Sequence, residues 1–192
     1  MEWSRAIQYL VIINMAGFLL AAADAWMRGK TGRQMGAVLM GISLPGGALG
    51  VLAGLILLNR RLDKSNMMSR VFVVCLAVLQ GALLIFLKNG SRGEITFAFW
   101  SFFSAHRLLT ACLVLVNLVT FAAFGIDKWK AVRNRPRIRI ATLLGLSFFG
   151  GAAGGLAGMY LFHHKTRRDY FAVGLPLMLA AQAAVLFCAM NL

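Results

Sequence analysis

Acidic side chains are scarce in this 192-residue chain: six Asp and Glu stand against twenty Lys and Arg, a formal charge of +14. Cysteine is sparse as well. Cys75, Cys112 and Cys188 lie apart inside apolar runs, with no CxxC pair and no metal-ligand spacing, so they read as small buried hydrophobes. There is no Walker loop, nucleophile elbow, HExxH or dinucleotide fingerprint. The ten-residue alternation of a barrel strand is missing too, and Leu, Ala, Met and Gly dominate instead. Neither a cofactor nor a metal is expected, and the signal for catalysis is weak.

What is present is oil. The hydrophobic fraction is 60%, against about 45–50% in a soluble domain. A nucleic-acid-binding protein shares the basic charge but not such uninterrupted apolar runs, and nothing points directly to nucleic acid. The runs cover residues 6–23, 35–58, 71–87, 108–126, 140–162 and 170–192. Each is close to the roughly 20 residues that a helix needs to cross the hydrocarbon core. The expectation is an all-α polytopic integral membrane protein, multi-pass in the cell inner (cytoplasmic) membrane.

The first run ends in Ala21-Ala22-Ala23-Asp24-Ala25, which imitates a signal-peptide cleavage site. An internal repeat argues against that reading. Asn14, Phe18, Asp24 and Trp26 recur 103 positions later as Asn117, Phe121, Asp127 and Trp129. After one inserted residue, the block from Gly41 to Leu57 recurs at a spacing of 104, with Gly46, Gly47, Gly50 and Gly54 returning as Gly150, Gly151, Gly154 and Gly158. So many matches in register indicate duplication of a unit of three hydrophobic segments. The third segments share only an apolar character and one glutamine, Gln80 and Gln182. The organisation read from this is a first, degenerate repeat at 1–88, a linker at 89–106 and a second repeat at 107–192. The linker holds the turn-rich stretch 89–93, then Phe97, Phe99, Trp100, Phe102 and Phe103. That cluster suits the headgroup interface or simply extends the following helix.

Charge placement tests the topology. If all six segments cross, the basic residues divide nine against eleven between the faces. If the glycine-rich middle segment of each unit enters and leaves on one side, they divide sixteen against four. Cytoplasmic loops are the ones enriched in Lys and Arg, so re-entry fits better, with Pro45-Gly46-Gly47 and Gly150-Gly151 as places to fold back. An inverted six-span arrangement remains the alternative.

Gly46, Gly50 and Gly54 recur every four residues, as do Gly150, Gly154 and Gly158. At helical spacing they form a bare stripe for close helix packing, or else they line a path. Asn14 and Asn117 inside the oily runs read as interhelical hydrogen-bonders. Asp24 and Asp127 close those runs and read as partners of neighbouring bases, Arg28 or Lys128, at the headgroup level. In His163-His164-Lys165-Thr166-Arg167-Arg168, adjacent histidines cannot face one way on a helix, and no Cys or Glu completes a metal set. The cluster reads as a binder of lipid phosphate, or else His164 beside Asp127 acts as a general acid or base.

The second half carries Asn117, Phe121, Gly125, Asp127-Lys128, Ala131 and Arg137-Ile138, then Leu144, Gly150-Gly151, Gly154 and Gly158-Met159. Phe162, His164-Lys165-Thr166, Phe171 and Pro176 follow. This combination, over residues 115–179, resembles a small bacterial membrane-protein family known as domain of unknown function 1294. The resemblance implies a membrane fold and brings no activity with it. It marks Asn117, Asp127, Lys128, Arg137, His164, Lys165 and Thr166 as the candidate binding residues. Two departures stand out. Arg139-Ile140 replaces the family's Pro-Glu, and the first half has Asp24-Ala25 and Arg60-Arg61-Leu62 where the family has Asp-Lys and His-Lys-Thr.

Three functions follow in order. The first is transport of a small solute, ion or lipid through a glycine-lined pseudo-two-fold interface. The second is a non-catalytic scaffold whose basic cytosolic loops hold anionic lipid or a partner. The third is a membrane enzyme using Asp127, His164 and Lys165. The expected partners are membrane lipids, anionic ones above all, and a second copy of the chain.

Overall fold

The structure is a computed structural model that describes residues 2–32, 34–59, 63–89 and 95–191, with side chains from Arg5 onward. Arg33, Arg60, Arg61, Leu62 and the turn residues 90–93, Arg92 among them, lie outside the described residues. Every described regular element is a helix. Six segments are long and apolar enough to cross a membrane: Arg5–Thr31, Gly36–Leu58, Met67–Asn89, Arg107–Val132, Ile140–Leu161 and Asp169–Asn191. Their outward faces are oily, as at Ile12, Met15 and Leu19 or at Leu115 and Leu118, all exposed. Apolar surface on that scale is compatible with a multi-pass membrane protein. The chain divides into two units, Met1–Lys88 and Asn89–Leu192.

In the first unit, α1 (Glu2–Thr31) is an unbroken rod of 30 residues, about 45 Å long. It stops at Gly32, whose φ of 67° only glycine adopts cheaply and whose N–H returns to the Arg28 carbonyl at 3.2 Å. The next helix, α2 (Gly36–Ile42), lasts seven residues. Ser43 then bonds back to the Leu39 carbonyl, Pro45 contributes no N–H, and Gly46 turns at φ 111°. The chain leaves this wide turn as α3 (Ala48–Leu58).

The neighbours of α2 and α3 on α1 fix their directions. Met35, entering α2, donates its N–H to Asp24, whereas the carbonyl of Gly46 receives the Asn14 amide. Thus α2 runs against α1. Along α3 the order is reversed: Gly47 lies against Ile13, Gly50 against Asn14, Gly54 against Ala21, and Asn59 reaches Asp24. The segment is a helical hairpin, and both ends return to one carboxylate. Its tip lies level with Asn14, ten residues from Asp24 along α1, roughly 15 Å or half of the hydrocarbon thickness. Helix α4 (Met67–Asn89) closes the unit, with Gln80 capping the tip through the Gly46 carbonyl and the Leu49 N–H. Ala21, Leu39, Val51, Leu55 and Val73 form the core between these elements.

The second unit opens with Thr96, whose N–H and carbonyl both bond the Asn191 side chain, and with Phe97 packed on Phe187. Helix α5 (Phe99–Ala105) is short and exposed, with Trp100 at 89%. It is no extension of the next helix, because His106 breaks the backbone before α6 (Arg107–Val132) begins. A second hairpin follows, α7 (Ile140–Leu146) and α8 (Ala152–Leu161), reversing at Gly150 with φ 109°. Asn117 donates to the Gly150 carbonyl at 2.8 Å and accepts from the Gly154 N–H at 2.7 Å. After a single turn, α9 (Asp169–Ala172), the last helix α10 (Gly174–Asn191) brings Gln182 onto the Ser147 and Phe148 carbonyls. Phe124, Leu143, Met159, Phe171 and Leu175 are fully buried in this unit.

The glycine stripes do their packing inside each unit. A Cβ on Gly50 would lie 2.6 Å from the Asn14 carbonyl carbon, and one on Gly154 would lie 2.7 Å from that of Asn117. On Gly54 and Gly158 it would meet Ala21 Cβ at 2.6 Å and Phe124 Cβ at 2.9 Å. Helix backbones approach closely along these lines. Gly46 and Gly150 instead form the turns at the hairpin tips.

Candidate functional site

The second hairpin closes on Asp127, which is fully buried near the end of α6. Its Oδ1 accepts the Ile138 N–H at 2.9 Å, from the strand of chain that leads into α7. Its Oδ2 accepts from His164 Nε2 at 2.8 Å and pairs with Lys165 Nζ at 2.7 Å, both from the loop that leaves α8. One carboxylate therefore clamps the entry and the exit of the hairpin. An ionised carboxylate can only accept hydrogen bonds, so this donor set satisfies it. The two side chains are nearly as secluded as their partner, 11% and 13% exposed. The Lys165 ammonium also lies 5.0 Å over the Phe171 ring, itself edge-on to Phe124.

Backbone strain helps to aim the pair. His163 and Lys165 both adopt left-handed φ, 47° and 64°, at a cost of about 1–3 kcal/mol each for residues with a Cβ. The outcome is that His164 turns in while His163 stays exposed. This corrects the lipid-phosphate reading of the cluster for His164 and Lys165, which are committed to Asp127; His163, Arg167 and Arg168 stay at the surface.

A second correction concerns the partners of the aspartates. Asp127 pairs with Lys165 and not with Lys128, because consecutive residues on a helix point about 100° apart. Lys128 is half-buried, Arg137 is exposed and Thr166 is half-buried; among the described residues none of the three bonds Asp127. Near Arg137, the group that reaches the carboxylate is the next residue's N–H. Asn117 belongs to the hairpin tip, ten residues away along α6.

The first unit builds the same clamp from other groups. Asp24 accepts the Met35 N–H at 2.6 Å, eleven residues on in the chain, as Ile138 is from Asp127. In place of His and Lys it receives the Asn59 amide at 3.3 Å. Arg28, expected to pair with Asp24, instead donates to Asn59 at 3.2 Å and lies 3.7 Å from Asp63, while Arg70 binds the Asn59 carbonyl. Sequence reasoning missed Asn59, Arg70 and the capping roles of Gln80 and Gln182. Only the recurrence of a lone glutamine in each third segment hinted at the last two.

A family model described as "Protein of unknown function (DUF1294)" matches residues 117–171. The chain is also 39% identical over 79 residues to "Uncharacterized protein YsdA" of Bacillus subtilis (strain 168), covering 41% of this chain and 89% of that protein. The chain belongs to the DUF1294 family. The matched DUF1294 region runs from Asn117 at the hairpin tip, through Asp127, His164 and Lys165, to Phe171 under the lysine. It contains the whole clamp of the second unit. No solved structure matches the chain.

Proposed function

We propose that the chain arose by duplication of a three-segment unit and is a multi-pass membrane protein that transports a small solute or ion. In each unit two helices cross the bilayer, and the middle hairpin enters and leaves at the cytosolic face. The observation that carries this reading is the return of both hairpin ends to one buried carboxylate, with the tip at about half the membrane depth. Broken helices of this kind expose backbone termini at mid-membrane, where transporters bind their cargo. Here those termini are capped by Asn117 and Gln182, so a solute gains access only as the hairpin shifts. Asp127, His164 and Lys165 form the working latch of the second unit. The transport step thus depends on hairpin movement and not on a standing glycine-lined lumen.

Sixteen of the twenty basic residues then fall on the hairpin-mouth side, which supports placing that side in the cytosol. The experiment is flux into proteoliposomes with K⁺, Na⁺, proton and phosphate indicators. Flux of one solute in the native protein and its loss in Lys165→Met supports the proposal; no flux of any, from protein shown to be folded, defeats it. The scaffold reading is favoured by one observation, that the latch and the hairpin tips are closed on themselves.

A further inference from the structure

We infer that the Trp129 loop of the second unit is a docking surface for the phosphate of an anionic lipid headgroup. The loop is built around a stack of like charges. Arg133 and Arg135 both place their guanidinium groups over the Trp129 ring, at 4.5 and 5.4 Å from its centroid. Asn134 between them is left-handed at φ 52°, and the Arg135 N–H closes the turn onto the Lys130 carbonyl at 2.9 Å. The backbone thus bends to bring two cations onto one exposed indole. The first unit has a single cation at the corresponding place, Lys30 over Trp26 at 4.4 Å.

The clamp adds to the crowding. Because Asp127 holds Ile138 and also His164 and Lys165, it draws the exposed Arg137 and Arg139 to the same end of the unit as the exposed Arg167 and Arg168. Among the described residues of this unit the acids are Asp127, already engaged, and the exposed Asp169. So many like charges at one end call for an external anion. Trp129 says which kind. It lies on the last turns of α6 between exposed Ile126 and Val132, at the oil–water boundary where tryptophan and phosphate headgroups meet. Basic residues at that level each add attraction to an anionic surface.

The inference rests on the membrane reading above, and the test separates the two. The protein is reconstituted in nanodiscs of equal phosphatidylglycerol and phosphatidylcholine, and the lipid kept on transfer to detergent is counted by native mass spectrometry. Phosphatidylglycerol should be retained preferentially, the preference falling about thirtyfold in Arg133→Gln/Arg135→Gln and persisting in Lys30→Gln. Equal retention of both lipids by the native protein, which needs no variant, overturns the inference. So does displacement of the lipid by millimolar inorganic phosphate or by a short RNA. Protein that remains in solution and enters no disc sinks the membrane reading itself.

Discussion

Gly154 gives the sharpest test of how the hairpins are seated, because the structure supplies both the perturbation and its control. A methyl group there would sit 2.7 Å from the Asn117 carbonyl carbon and 2.9 Å from its Cα. These are backbone atoms in the middle of α6, so no side chain can rotate away. Ordinary contact begins at 3.4 Å, and the Asn117 carbonyl oxygen lies nearer still than its carbon, so α8 must recede by more than the roughly 0.7 Å that the carbon alone requires. That movement also stretches the 2.7 Å bond from the Gly154 N–H to Asn117. Overpacking of this kind costs about 1–3 kcal/mol, and the weakened buried hydrogen bond adds about 1 kcal/mol. Gly145, in the other arm, has nothing within 4 Å of its Cβ position. There alanine gains up to about 1 kcal/mol from helix propensity. Thermal unfolding in detergent, followed by fluorescence-detected size exclusion, should show Gly154→Ala well below the native protein and Gly145→Ala at or above it. Equal Tm values for the two variants would refute the backbone contact.

The two clamps should respond differently to loss of charge. Asp127→Asn leaves the Lys165 ammonium buried beside Phe171 and should cost about 3–5 kcal/mol; Asp24→Asn keeps an acceptor for the Met35 N–H but sets its NH2 against the Asn59 amide donor and should cost about 1–3 kcal/mol, a ranking read from Tm. Asn117→Ala removes the caps on both the Gly150 carbonyl and the Gly154 N–H. It should destabilise by about 1–3 kcal/mol per orphaned group, read as a lower Tm in detergent. Lys165→Ala should open the exit of the second hairpin, so that a cysteine placed at Thr166 reacts faster with a water-soluble maleimide than it does with Lys165 present.

The six apolar segments were legible because oil is a one-dimensional signal that needs no partner. Asp24, Asp127, Asn14 and Asn117 were legible as exceptions within it. The choice of Lys128 as the partner of Asp127 failed for a three-dimensional reason: neighbours in sequence diverge around a helix, while Lys165 returns to Asp127 only after the chain has folded back. Asn59 and Gln182 carried no periodicity at all. Asn59 meets Asp24 and Arg28 only once the chain has folded back, and Gln182 caps carbonyls freed by the turn at Gly150. A sequence shows where a helix breaks more readily than what caps the break. The aromatic linker divided similarly. Its oiliness pointed to an interface, but only the backbone break at His106 separates α5 from α6.

The side of the membrane on which each hairpin begins and ends bears most directly on the account. Single cysteines at Lys30, Lys64, Asn134 and Arg167, in a background with Cys75, Cys112 and Cys188 replaced by alanine, can be probed in intact cells with a membrane-impermeant maleimide. All four should stay unlabelled until the inner membrane is permeabilised, while a cysteine at Thr96 labels from outside. Labelling of Lys30 and Lys64 from opposite sides would mean that the middle segment crosses, and would contradict the account.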